Sequence, residues 1–441
     1  MKGTLKRSIS IWQGIALYVG AVIGSGILIL PGMTAGIAGA NALFSWGGMI
    51  LLSIPLAYTF AFLAREYPSA GGISTFVDKA FGRYAGALIG WFYFIAASAG
   101  QFIVPLTGGV YVTYVFHLQH VVAFVIAAIL LVVAVTGNYL GLRTSGKVQL
   151  ATSGLIVVVL LATILFAIPF MHTNMLSPNV TGSMWGSVGR ASMLIFWSFF
   201  GWEAIASLAP EFHHPERDVM RATWGAIGIV GVLYFGIAMA VIGTHSYAVD
   251  QQSMSQAMNN ASLAQVMTNT IGRSGAMVTA VIALVICLGT TNAFVASISR
   301  LAYSLAHEKL APSLFDYINE ARSTPQRAVL LVAVLAGTGL VVTYVFHIRM
   351  SQLVYIPNSL GIATYILGTA AGVKLIRSII GKVFAGVAFV FCLAAYPFVG
   401  KSIGIPIVVA ILCIAYVVWR TRSERTYSKS KVIDSEIGNS K

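Results

Sequence analysis

The sequence predicts an all-α membrane protein of twelve transmembrane helices, and three observations lead there. Of the 441 residues, 58% are apolar and only 9% are charged, against roughly 25% charged in a soluble domain; a soluble globular enzyme is excluded. Mean hydropathy is +0.85, and it is concentrated in twelve long runs that, apart from one glutamate, lack Asp, Glu, Lys and Arg. Each is long enough to cross a hydrocarbon core of ~30 Å as a helix. The third observation is charge asymmetry. With both termini cytoplasmic, only Arg190, Arg273, Arg349 and Lys401 fall on the outer side, leaving 23 of the 27 Lys and Arg inside, as the positive-inside rule requires.

In chain order, residues 1–10 form a cytoplasmic N-terminus whose Lys2, Lys6 and Arg7 precede the first run. That run, 11–39, has no convincing cleavage site and reads as a span rather than a signal peptide. The others lie at 42–64, 84–116, 121–142, 148–170, 191–210, 222–244, 274–299, 328–346, 350–373, 383–400 and 402–419. Six of the eight tryptophans (Trp12, Trp46, Trp91, Trp185, Trp224 and Trp419) sit near span ends, where an interfacial aromatic belt belongs. Residues 421–441 are polar, basic and serine-rich and read as a disordered cytoplasmic tail. The +14 formal charge is spread between apolar segments, so no nucleic-acid partner is implied. Cys287, Cys392 and Cys413 lie inside apolar runs and indicate neither a disulfide framework nor a metal cluster. No Walker, HExxH, GxSxG or Rossmann arrangement occurs in a credible context, so the chain reads as no enzyme and implies no cofactor.

The exceptional glutamate is Glu203, in the sixth span between Trp202 and Ala204. A carboxylate at membrane depth is costly unless it is paired, protonated or facing water, and is a functional candidate on that ground; the plain alternative is a buried carboxyl that ties the bundle together. Glycine is high at 44 residues, and its placement matters more than its number. Gly24-Ser25-Gly26 lies near the middle of span one, and Phe199-Phe200-Gly201-Trp202 near the middle of span six. Interrupted helices at corresponding positions of two halves point to a midplane site. An unwound segment offers N–H groups to a carboxylate and freed carbonyls to an ammonium, a polarity that suits a zwitterion.

Four blocks of residues resemble the amino acid-polyamine-organocation (APC) transporter superfamily. They are Ile23-Gly24-Ser25-Gly26-Ile27 with Pro31; Tyr67-Pro68-Ser69-Ala70-Gly71-Gly72 with Phe81-Gly82; Phe200-Gly201-Trp202-Glu203 followed by Glu211, Pro215-Glu216-Arg217 and Arg221; and Ser299-Arg300 with Ala306 and Pro312. The second and third blocks look most like the amino-acid efflux branch, exporters of methionine and branched-chain residues. The resemblance implies a five-plus-five inverted-repeat, leucine-transporter-like fold, with repeats at 11–170 and 188–375 and two extra C-terminal helices at 381–420. It implies a substrate carboxylate at Gly24, Ser25 and Gly26, an ammonium near Ile23 and the Phe199-Phe200 break, and a pocket shaped by Phe199, Phe200, Gly201 and Trp202. Gln101 and Pro105 in span three and Thr290, Thr291 and Asn292 in span eight are further cavity candidates by the same resemblance. Some family members carry a lysine in helix five in place of a bound sodium; here no lysine occurs between Lys147 and Lys309. Glu203 as proton carrier, sodium held by Thr290 or Thr291, and uncoupled exchange therefore stand as alternatives. The expected protein is a secondary transporter of a small neutral L-amino acid in the plasma (inner) membrane, with lipid as its surroundings.

Overall fold

A computed structural model describes residues 9–67, 72–141, 146–182, 184–203, 209, 212–249, 253–322, 324–416 and 418. Pro68–Gly71 of the second motif block, Glu211, the first eight residues and the 421–441 tail lie outside the described residues. The rest is nearly all helix; among the described residues the backbone bridges outside helices are Ile9 with Phe212 and Asn319 with Thr324.

Span one is two helices, α1 (Ile11–Ile23) and α2 (Gly26–Ala38). They are followed by α3 (Ala42–Glu66), α4 (Gly72–Phe81), α5 (Arg83–Phe116), α6 (His120–Leu140), α7 (Gly146–Ala167) and α8 (Met184–Ile195). After the centre of span six come α9 (Pro215–Gly243), the short α10 (Ser253–Asn260) and α11 (Ser262–Ile271), and then α12 (Arg273–His307), α13 (Gln326–Val345), α14 (Met350–Leu375) and α15 (Ile379–Ala395). A last helix, α16, covers 404–416. Among the described residues, nine helical stretches are long and apolar enough to cross a membrane. One joins α2 to α3, another joins the last two spans, and span six is absent from the nine because it breaks at its centre. All twelve predicted spans thus have helical counterparts.

Two features were not predicted. The loop after span two contains α4, whose Ile73, Phe76, Val77 and Ala80 are buried and which packs on α5 and α14. The α10–α11 pair between spans seven and eight is the second, with α10 lying on α2. Both are short amphipathic helices that a search for long uncharged runs passes over.

The largest helix contact pairs α5 with α12, and one continuous apolar core runs from α1 to α15. Val125, Ile129 and Val132 of α6 and Val387, Val390 and Phe391 of α15 are exposed, as befits faces whose solvent is acyl chain. The centre of the core is where the two interrupted segments meet. Gly24 ends α1 at φ 37°, ψ −149°, and Gly201 sits at φ 127°, conformations that L side chains rarely adopt. A Cβ at Gly201 would lie 2.8 Å from Ala21 O, and one at Gly26 would lie 2.1 Å from Ser198 Oγ. Each break therefore needs a glycine to approach the other.

Gly201→Ala should cost about 1–3 kcal/mol, from its backbone conformation and from the contact with Ala21. The purified protein should show a lower thermal midpoint. Gly228→Ala, at an exposed helical position where a Cβ meets nothing within 4 Å, should leave the midpoint unchanged or raised; equal midpoints for both variants would refute the close approach.

Candidate functional site

Helix α1 starts on a capping box, with Ser10 and Gln13 exchanging side-chain and backbone hydrogen bonds. Its other end has no such closure. Beyond Ile23 the chain turns through Gly24 and Ser25, and α2 begins at Gly26. The final carbonyls of α1 and the first N–H groups of α2 therefore lack helical partners, at a depth where lipid offers none. Span six unravels in stages: α8 ends at Ile195, tightens over Phe196–Phe199, and becomes extended at Phe200 with ψ 132°.

Side chains from three other helices hydrogen-bond backbone carbonyls of spans one and six. The Tyr234 hydroxyl of α9 lies 2.7 Å from Val22 O and 2.8 Å from Ser198 O, donating its one proton to this pair of carbonyls. Tyr111 of α5 donates to Leu28 O at 2.6 Å. From α14, Asn358 donates to Met193 O at 2.6 Å, and the Tyr365 hydroxyl reaches Phe199 O at 3.1 Å. Tyr365 also hydrogen-bonds Glu203 Oε2, which accepts the Gly201 N–H at 3.0 Å. Glu203 is 5% exposed; its Oε1 is buried without a hydrogen bond among the described residues, and Tyr93 lines the same cavity as this carboxyl.

Between the breaks lies a small cavity lined by residues of both interrupted segments. Gly24, Ser25 and Gly26 line one side, Phe200 and Glu203 another, and Gln101 and Thr290 also face it. Ser25 Oγ, Gln101 Oε1 and Glu203 Oε1 are all buried and have no hydrogen-bond partner among the described residues. Buried polar atoms normally have one, so three orphans around one cavity describe a place for a polar ligand.

Several predicted residues point elsewhere. Ile23 is core; Phe199 packs edge-on against Tyr234, with ring centroids 5.4 Å apart, and Trp202 tilts on Tyr18 at 5.5 Å. Gly201 faces the α1 backbone rather than the cavity. Pro105 is buried within α5 and is absent from the cavity wall. On α12, Thr291 donates to Cys287 O at 2.7 Å, and Asn292 accepts from Asn138 at 2.9 Å. One residue on a helix is a turn of about 100°, which separates Thr290 from both. On the side predicted to be cytoplasmic, Arg65 stands 4.8 Å over the Phe62 ring, and Arg217 pairs at 3.1 Å with its neighbour, the buried Asp218.

Sequence reasoning missed Tyr93, Ala97, Gly100, Trp197, Phe294 and Gly361, all of which line the cavity. Tyr93, Ala97, Gly100, Gln101 and Val104 fall on one stripe of α5 at helical spacing, and Phe294 lies one turn beyond Thr290. Extending the period from Gln101 and from Thr290 would have found them.

The family model described as amino acid permease matches residues 9–433. The chain is 37% identical over 407 residues to the uncharacterized amino acid permease YecA of Bacillus subtilis (strain 168), covering 92% of this chain and 94% of that one. It is 29% identical over 378 residues to the L-methionine/branched-chain amino acid exporter YjeH of Escherichia coli (strain K12), covering 85% and 87%. Among solved structures, MhsT in complex with L-phenylalanine has a similar fold, with a TM-score of 0.63 over 90% of this chain and 99% of that one, at 13% identity.

The Tyr234 hydroxyl is the contact that isolates most cleanly. Tyr234→Phe keeps the ring packing but leaves two buried carbonyls short of a donor, at a cost of about 1–3 kcal/mol. A lower thermal midpoint together with slower amino acid flux is expected; an unchanged midpoint would mean that the hydroxyl does not hold the breaks together.

Proposed function

The chain belongs to the amino acid permease family of the APC superfamily, and from that premise we propose that it is a secondary transporter of a neutral, apolar L-amino acid, working by alternating access around the two broken helices. The observation that carries this reading is the convergence of both breaks, three orphaned polar atoms and an aromatic wall on one cavity. The substrate carboxylate sits at the start of α2, where the N–H groups of Ser25 and Gly26 and the helix dipole favour an anion. The ammonium faces the freed carbonyls around Ile23 and Phe199-Phe200. Trp197, Phe200 and Phe294 supply apolar faces for the side chain. The lining residues include no Lys or Arg and one carboxyl, Glu203, which disfavours acidic side chains and polyamines alike.

Coupling is assigned to the proton. Tyr365 and the Gly201 N–H occupy Glu203 Oε2; Oε1, without a hydrogen bond among the described residues, takes up and releases a proton as access alternates. A proton crossing 100 mV releases about 2.3 kcal/mol, enough for an amino acid gradient of about 50-fold. Sodium is the second reading, favoured by Thr290, which lines the cavity together with Gly24 and Ser25 of the first break and whose hydroxyl is a hard oxygen ligand for that ion. Export of methionine and branched-chain residues across the inner membrane, with both termini cytoplasmic, is supported by the 29% identity to YjeH and by the placement of the basic residues.

The test is flux of labelled methionine in proteoliposomes under an imposed pH gradient. Wild type should accumulate substrate with the gradient. Glu203→Gln should lose the gradient-driven component while still exchanging methionine at equal pH. A Glu203→Gln variant that follows the gradient at the wild-type rate would remove this carboxyl from coupling.

A further inference from the structure

Asn358, Gly361 and Tyr365 follow one another at spacings of three and four, and so form one stripe along α14. All three meet span six, Asn358 at the last turn of α8 and the other two where the span is unwound. Asn358 holds Met193 O, and Tyr365 holds Phe199 O and Glu203. Between them, Gly361 receives the Phe200 ring: a Cβ at position 361 would lie 1.8 Å from Phe200 Cζ and 2.1 Å from Cε1. No side chain fits there unless that ring moves.

Taking the cavity as the amino acid site proposed above, we infer that Gly361 is a positioning residue that sets the size of the side chain admitted, by holding Phe200 back from the cavity. Both residues line it. The Phe200 ring is hemmed in elsewhere by Phe196, Tyr365 and Trp197, with centroids at 5.5, 5.4 and 6.1 Å. A methyl group at 361 therefore displaces the ring, and the cavity that the ring lines is the space open to it. Gly100 does the same for the other aromatic wall, since a Cβ there would stand 3.0 Å from the Trp197 ring. Two aromatic rings seated on two glycines set the length of the pocket; either seat filled by a methyl shortens it.

The experiment measures apparent affinities of purified wild type and variants for alanine, valine, leucine, methionine and phenylalanine by ligand-induced thermal stabilisation. Gly361→Ala should weaken methionine and phenylalanine by about tenfold or more while alanine stays within about twofold, the scale at which a pocket discriminates by methylenes. Phe200→Leu, which removes the ring and leaves Gly361 intact, should shift preference toward the largest side chains, and Gly361→Ala/Phe200→Leu should recover methionine. Equal weakening of all five ligands, an unchanged order of preference, or no recovery in the double variant would overturn the role of Gly361. Wild type stabilised by none of the five would overturn the amino acid site itself, a result distinct from any of these.

Discussion

A helix broken at membrane depth frees carbonyls and N–H groups that lipid cannot satisfy, and the rest of this structure follows from how those groups are answered. Each unpaired group would cost several kcal/mol in hydrocarbon. The answer at the centre is one phenol: the Tyr234 hydroxyl lies between Val22 O of the first break and Ser198 O of the second. Neither segment can move without changing the other's hydrogen bonding. The glycine contacts reinforce this, with Gly26 closed on Ser198 and Gly201 closed on Ala21. The breaks form a single unit made from two distant pieces of chain.

The helices around that unit divide the work. Helix α9 holds it from one side through Tyr234, and α14 holds the span-six break through Asn358 and Tyr365. Helices α5 and α12 contribute less to holding the breaks and more to the cavity wall, through Tyr93, Gly100, Gln101, Thr290 and Phe294. Among the described residues, the cavity wall includes three buried oxygens without a hydrogen bond, those of Ser25, Gln101 and Glu203. Glu203 takes part in both, with one oxygen bound into the scaffold and the other among these three.

The spans, the two breaks and Glu203 are legible in the sequence because each is a local anomaly: a long uncharged run, a glycine cluster inside one, a lone carboxylate inside another. Tyr234 and Tyr365 carry no such mark. A tyrosine in an apolar helix looks like packing, and the carbonyls they satisfy lie 212 and 166 residues away. Rotation of the helices was equally hidden. A segment that is apolar all round does not say which face is inward, so Thr290 could not be separated from Thr291, nor Phe200 from Phe199 and Trp202. Helix α4 was obscured for another reason: it follows the turn-forming run Pro68-Ser69-Ala70-Gly71-Gly72, which reads as loop.

The central claim is that the cavity between the breaks binds an amino acid through its backbone charges. Thermal stabilisation of the purified protein by all twenty L-amino acids and by D-methionine, at two pH values with and without sodium, tests it most directly, since a ligand at 100 times its Kd stabilises by about 2.7 kcal/mol. Large apolar L-amino acids should raise the midpoint, D-methionine should not, and pH rather than sodium should alter the shift. No shift with any amino acid, or equal shifts with both enantiomers of methionine, would contradict it.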